Sequence, residues 1–211
     1  MRDVVAAADP ALVADALHPR YARLAAPKGG EPPRSPRYGQ RAVPAPRRRV
    51  PLDPAEAAFV GTAAGRANVQ ESGWVGRSGT RFGTEGLSRR LEALSLSAAD
   101  LPWEGGLVTS VHAQDLGWLD PVGDGGVAGT TGESRRLEAV AITLEGEASA
   151  HASVWYRVHG QDYGWLDWAS DGQPAGTGGM SLRAECVEVQ VLPTGAVPSD
   201  YTDELAFLSA T

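Results

Sequence analysis

The chain has 211 residues, with 26 Gly, 15 Pro, a single Cys and a net charge of −7, which fits one domain plus a tail. One cysteine excludes an intrachain disulfide, and no stretch approaches the about 20 apolar residues of a membrane-spanning helix. The charge is divided: residues 1–52 hold ten Arg or Lys against four Asp or Glu, and residues 53–211 hold nine against twenty-two. This reads as a basic arm on an acidic body, and the acidic body speaks against a nucleic-acid-binding face on it.

At the N-terminus the apolar run is broken by Asp9 and Pro10, so no signal peptide is expected, and a protein acting outside the cell would leave by another route. Asp9-Pro10 predicts a short helix with Asp as N-cap and Pro in the first turn, ended near Leu17 by Pro19. The stretch from Pro27 to Pro51 is rich in Pro and Arg and too poor in large apolar residues to form a core. It is expected to be extended, with Arg34, Arg37, Arg41, Arg47, Arg48 and Arg49 available to anchor it on a partner. Asp53-Pro54 followed by Glu56 is a second helix-start signal.

From there the chain repeats itself three times. Asn68–Leu96, His112–Leu144 and His159–Val191 each contain Gly-Trp, then Gly-Thr-x-Gly, then an alternating apolar run opened by a Glu. Glu92, Glu138 and Glu185 recur at intervals of 46 and 47 residues. Three equivalent units suit a binding or structural module better than an enzyme. The domain reading is an arm over residues 1–52, a β domain over 53–192 with repeats at about 60–98, 105–145 and 152–192, and a tail over 193–211. The tail carries a short apolar patch, Leu205, Phe207 and Leu208, able to pack back on the body or on a partner.

In the second repeat, Leu107–Ala113 reads as a strand and Gln114–Trp118 as a turn into a second short strand. Asp124-Gly125-Gly126 is a turn signal, Val127–Thr130 a third strand, and Leu137–Leu144 the clearest strand of all. The alternation places Glu138 on the face of Val140, Ile142 and Leu144, and likewise Glu92 and Glu185 on their apolar faces. A buried carboxylate must be paired or hydrogen-bonded. Candidate donors are N–H groups of the Gly-rich loop, a Trp indole N–H, or an Arg, with the Glu stapling loop to strand. Trp74, Trp118 and Trp165 are expected to be core wedges, because aromatic rings have the most area to bury. Trp103, Trp155 and Trp168 are unrepeated and are the candidates for an exposed ligand-binding platform. His112 and His159 are equivalent, with Asn68 in the first copy, and are read as hydrogen-bonding side chains; ligand spacing for a metal is absent. Cys186 is expected to be a packed thiol.

These residues resemble the ChW repeat, a clostridial hydrophobic repeat with a Trp. The resemblance is carried by Val154, Tyr156, His159, Gln161 and Gly164-Trp165 in the third copy. In the second it is carried by His112, Gln114 and Gly117-Trp118, then Gly126 to Gly132, then Arg136-Leu137-Glu138-Ala139. The first copy departs by Asn68 and by a shorter Trp-to-Gly-Thr interval, 9 residues instead of 11. The resemblance implies a bacterial protein of the cell surface or secreted type, attached to surfaces or cell-wall glycan, with no catalytic residues to carry over.

The expected fold is all-β: three repeats of about 46 residues in a pseudo-threefold arrangement like a β-prism or a β-trefoil, which leaves few exposed edges. The expected function is a non-catalytic, surface-exposed module, extracellular or on a virion. Its arm would anchor it on the protein subunits of a phage virion or phage-tail-like particle, and it would bind bacterial cell-surface glycan without a cofactor or metal. The alternatives are a purely structural decoration or cement protein, and an arm that tethers nucleic acid.

Overall fold

A computed structural model describes residues 59, 61–77 and 79–210. The two expected N-terminal helix starts and the six arm arginines lie outside the described residues. The described residues are predominantly β-strand. The first unit comprises β1 (Thr62–Val69), β2 (Gly73–Arg77), β3 (Arg81–Gly83) and β4 (Leu91–Ala99). The second comprises β5 (Gly105–Ala113), β6 (Gly117–Trp118), β7 (Val127–Gly129) and β8 (Leu137–Gly146). A four-residue helix, α1 (Ala148–His151), leads into the third: β9 (Ala152–Gly160), β10 (Gly164–Trp165), β11 (Ala169–Ser170), β12 (Ala175–Gly178) and β13 (Ala184–Pro193). The tail adds β14 (Phe207–Ser209). No described helix is long and apolar enough to cross a membrane.

Each unit is built on one long antiparallel pair, β1 with β4, β5 with β8 and β9 with β13. The first strand of each pair turns back through a short hairpin into the Gly-Trp strand. The Gly-Thr strand then leaves its own unit. β7 pairs with β4, β12 with β8 and β3 with β13. Each sheet therefore borrows a strand from another unit, second to first, third to second and first to third. None of the three sheets closes on itself.

Glycine makes these borrowings possible. Gly129 has φ +112, and a Cβ there would lie 2.5 Å from the Glu92 carbonyl oxygen and 2.8 Å from Ala93 Cα. Gly83 and Gly176 meet Glu185 and Glu138 in the same way. The borrowed strand comes closer to its host than any side chain would allow.

The long strands line a shared core with Leu91, Leu94 and Leu96, with Leu137, Val140 and Ile142, and with Val187, Val189 and Val191. Phe82 is fully buried among them, while the corresponding residue before the Gly is Ala128 in the second unit and Ala175 in the third. One large ring and two methyl groups fill the space that three equivalent rings would overfill.

The spacing of core residues corrects the expected phase of the three glutamates. Ala113 pairs with Leu137 and His112 with Ala139, so Glu138 is the extra residue of a β-bulge. Glu92 and Glu185 sit at the same irregularity. The bulge shifts the alternation, so that Leu137 joins Val140 and Ile142 in the core although Leu137 and Val140 are three positions apart. The carboxylates consequently lie on the outer face, not the apolar one. They are nevertheless buried, because the borrowed loop and neighbouring side chains cover them.

The tail packs back on the body. β14 adds parallel to β12, and the Asp167 carboxylate accepts hydrogen bonds from the Thr202 N–H and hydroxyl and the Glu204 N–H at 2.8–3.4 Å.

Candidate binding site

Across the outer face of the second sheet, four groups stand in a row, one per strand: Trp118, His112, Glu138 and the Gly-Thr loop of the third unit. Trp118 and His112 are cross-strand partners with ring centroids 5.7 Å apart and planes at 85°. His112 Nδ1 lies 3.1 Å from Glu138 Oε2, without the directional geometry of a hydrogen bond. Arg136 donates to Oε1 from Nε at 2.9 Å and approaches it with Nη2 at 2.8 Å. The Gly179 N–H donates to Oε2 at 2.7 Å. Burial pushes the Glu138 carboxyl up, but His112, Gly179 and Arg136 together outweigh it and hold the group below the ordinary value.

The row recurs. In the third unit Trp165 stands opposite His159 at 5.4 Å, His159 Nδ1 is 3.4 Å from Glu185, and Arg183 reaches Glu185 at 2.7–2.8 Å. In the first, Trp74 stands opposite Asn68, Arg90 reaches Glu92 at 2.7–2.9 Å, and Arg66 lies 4.5 Å above the Trp74 ring. Of the donors expected for the glutamates, the Arg is present in all three units and the Gly-loop N–H on Glu138. The indole of Trp165 goes elsewhere, to Glu85 of the first unit at 3.1 Å. These carboxylates are held by structural partners.

Beside each repeated Trp is the tip of its hairpin, Gln70-Glu71, Gln114-Asp115 or Gln161-Asp162. The three acids are exposed and adopt left-handed φ values of 64°, 63° and 68°. Gly117 follows with φ 75°, which turns the chain so that the Trp lands opposite the His. Arg89 and Arg135 steady the first two tips, at 3.5 Å from Glu71 and 3.4 Å from Asp115. Each hairpin thus carries a Gln, an acid and a Trp within five residues.

The tryptophans do not divide into buried repeated and exposed unrepeated rings as expected. Trp74, Trp118 and Trp165 are half-buried on outer faces, not core wedges, because they sit at strand ends beside the turn. Trp168, expected to be exposed, is only 3% accessible. It lies under Arg157 and donates its N–H to Asp200 at 2.9 Å. Trp103 is half-buried in the link between units, stacked on His151 at 4.5 Å and edge-on to Phe59 at 5.3 Å. Trp155 is half-buried with Tyr201 at 5.4 Å. Cys186 is buried, as expected. Among the described residues, no three His, Cys, Asp or Glu side chains converge as a metal site.

A family model described as Clostridial hydrophobic W matches residues 112–146 and 159–193. The matched segments lie in the second and third units, each from its histidine to the last residue of its second long strand. The first unit lies outside them. No curated protein and no solved structure matches the chain.

Proposed function

We propose that this is a non-catalytic binding module that attaches a larger assembly, such as a phage virion or phage-tail-like particle, to bacterial cell-surface glycan. The observation that carries the reading is the recurrence, at three hairpin tips, of a half-buried indole beside a Gln and an exposed acid. An indole face meets the apolar face of a sugar ring, while an amide and a carboxylate take its hydroxyl groups, the usual mixture of apolar wall and few polar contacts in a ligand site. The first unit repeats the hairpin, the bulge and the borrowed strand, so it is read as a third, diverged copy. The cycle of strand borrowing supports a prism-like pseudo-threefold arrangement, with the tips as three separate contact points. Weak single contacts then add through multivalency. The basic residues 1–52 are the anchor on protein subunits of the assembly.

The test is co-sedimentation of the full-length protein, and of a version lacking residues 1–52, with purified bacterial cell walls. Binding by both assigns recognition to the units. Binding by neither, with assembly of the full-length protein alone into larger species, would replace this reading with structural decoration.

A further inference from the structure

The geometry points to a second, different binding site on the outer face of the third unit. It is a clamp for a carboxylate-bearing sugar, which the chain's own tail covers as a displaceable strap. Two donors form the clamp. The buried Trp168 indole N–H reaches Asp200 Oδ1 at 2.9 Å, and Arg157 Nη1 reaches Oδ2 at 2.9 Å. Arg157 is fixed without help from the tail, whereas Trp168 follows Asp167, whose carboxylate the tail's Thr202 and Glu204 hold. Arg157 is held from its other side by Glu188, from Nε at 2.9 Å and Nη2 at 2.8 Å. Its guanidinium also lies 4.5 Å from the Trp168 ring and 4.9 Å from the Trp165 ring. A guanidinium set in this way, with an indole N–H beside it, is prearranged for the two oxygens of a carboxylate.

Asp200 is what the clamp holds, and it belongs to the tail. Its side chain is 53% exposed, against 13% for Arg157, so the acid lies at the surface while the donors lie beneath it. Next to it, Tyr201 leans edge-on against Trp155, whose buried indole N–H has no acceptor. The seat therefore offers one more donor than the strap uses. Removal of Asp200 leaves Arg157 with Glu188 alone and two N–H donors without an acceptor, a cost that an incoming carboxylate removes.

The strap has the build of a segment that can lift. It leaves β13 through Thr194 to Pro198, where Gly195 takes φ 89° and Val197 is exposed. It is fastened by the Thr202 and Glu204 hydrogen bonds to Asp167 and, farther on, by the three-residue parallel pairing of β14 and by the Phe207 ring lying over Gly178. The corresponding residues, Glu85 and Thr131, carry side chains where that ring would lie, which confines the strap to the third unit. The clamp is confined there too. Counting from each repeated Trp, Arg77 and Pro121 stand where the third unit has Trp168. A sugar is favoured over an acidic peptide because indoles surround the clamp on several sides. This inference does not rest on the hairpin tips.

The test uses full-length Asp200→Asn and Phe207→Ala proteins, titrated calorimetrically with N-acetylmuramic acid, with N-acetylglucosamine, and with a synthetic peptide of residues 199–209. The first sugar carries a carboxylate and the second does not. Both variants should bind N-acetylmuramic acid about tenfold or more tighter than wild type, the gain expected when a cover closed most of the time is released. Neither should gain for N-acetylglucosamine, and Trp168→Phe added to Phe207→Ala should cancel the gain. Phe207→Ala loosens the strap without touching the clamp, so it decides the matter should Asp200→Asn fold poorly. No gain in a folded variant, an equal gain for both sugars, or a gain for the peptide alone would overturn the proposal. The wall-binding assay can fail without affecting any of these readings.

Discussion

Glu138 of the second unit accepts the Gly179 N–H of the third at 2.7 Å. The bond crosses between units, and the carboxylate that makes it is the bulge residue of its own strand. A bulge normally leaves one residue unpaired. Here that residue fastens the borrowed loop, with Arg136 balancing its charge. Glu138→Gln keeps the shape and removes the charge, and should cost about 1.5–3 kcal/mol, the worth of hydrogen bonds to a charged group. Chemical denaturation of the two proteins measures it. The pH dependence follows in sign. The folded-state value lies below the ordinary 4.5, so this contribution is fully present above the ordinary value and is lost as pH falls through the folded one. Acid melting curves of wild type and Glu138→Gln should therefore converge at low pH.

Gly129→Ala tests the strand borrowing itself. The added Cβ meets the Glu92 carbonyl at 2.5 Å, and the residue must hold φ +112°. Backbone strain alone is of order 1–3 kcal/mol, and the clash adds to it. The mild change Gly123→Ala, where a Cβ meets nothing within 4 Å, is the control. Thermal melts should show a large loss for the first and little for the second.

Phe82→Ala empties the one large member of the three equivalent core positions Phe82, Ala128 and Ala175. A fully buried Phe truncated to Ala costs about 3–5 kcal/mol. Ala128→Phe in the same protein should fail to restore stability in full, since the surrounding side chains are fitted to the first unit. Denaturant midpoints for the single and double variants check both statements.

Much of the second unit was legible before the structure. The strands around Val111, Ala128 and Ile142 follow from alternation and turn residues. The Arg two positions before each Glu is also visible as a recurring pattern. The bulge was not legible, because Leu137-Glu138-Ala139-Val140 alternates so regularly that nothing signals the extra residue. The partner of each Gly-Thr strand was hidden for a different reason. Gly83, Gly129 and Gly176 show that a backbone comes close, but not from which unit. The tryptophans were assigned by size and recurrence, and neither property reports position. Trp118 recurs because it stands opposite His112 at a hairpin end, whereas Trp168 is buried because the tail, distant from it in sequence, supplies Asp200.

On the proposed function, the hairpin-tip tryptophans bind and do not mainly stabilise. The most direct measurement is a paired thermal melt and cell-wall co-sedimentation of Trp118→Ala in the full-length protein. The expected result is a loss of stability below the about 3 kcal/mol of a fully buried large apolar side chain, because Trp118 is half-buried, together with a clear drop in the wall-bound fraction. Unchanged wall binding by the folded variant would contradict it and leave Trp118 as part of the architecture.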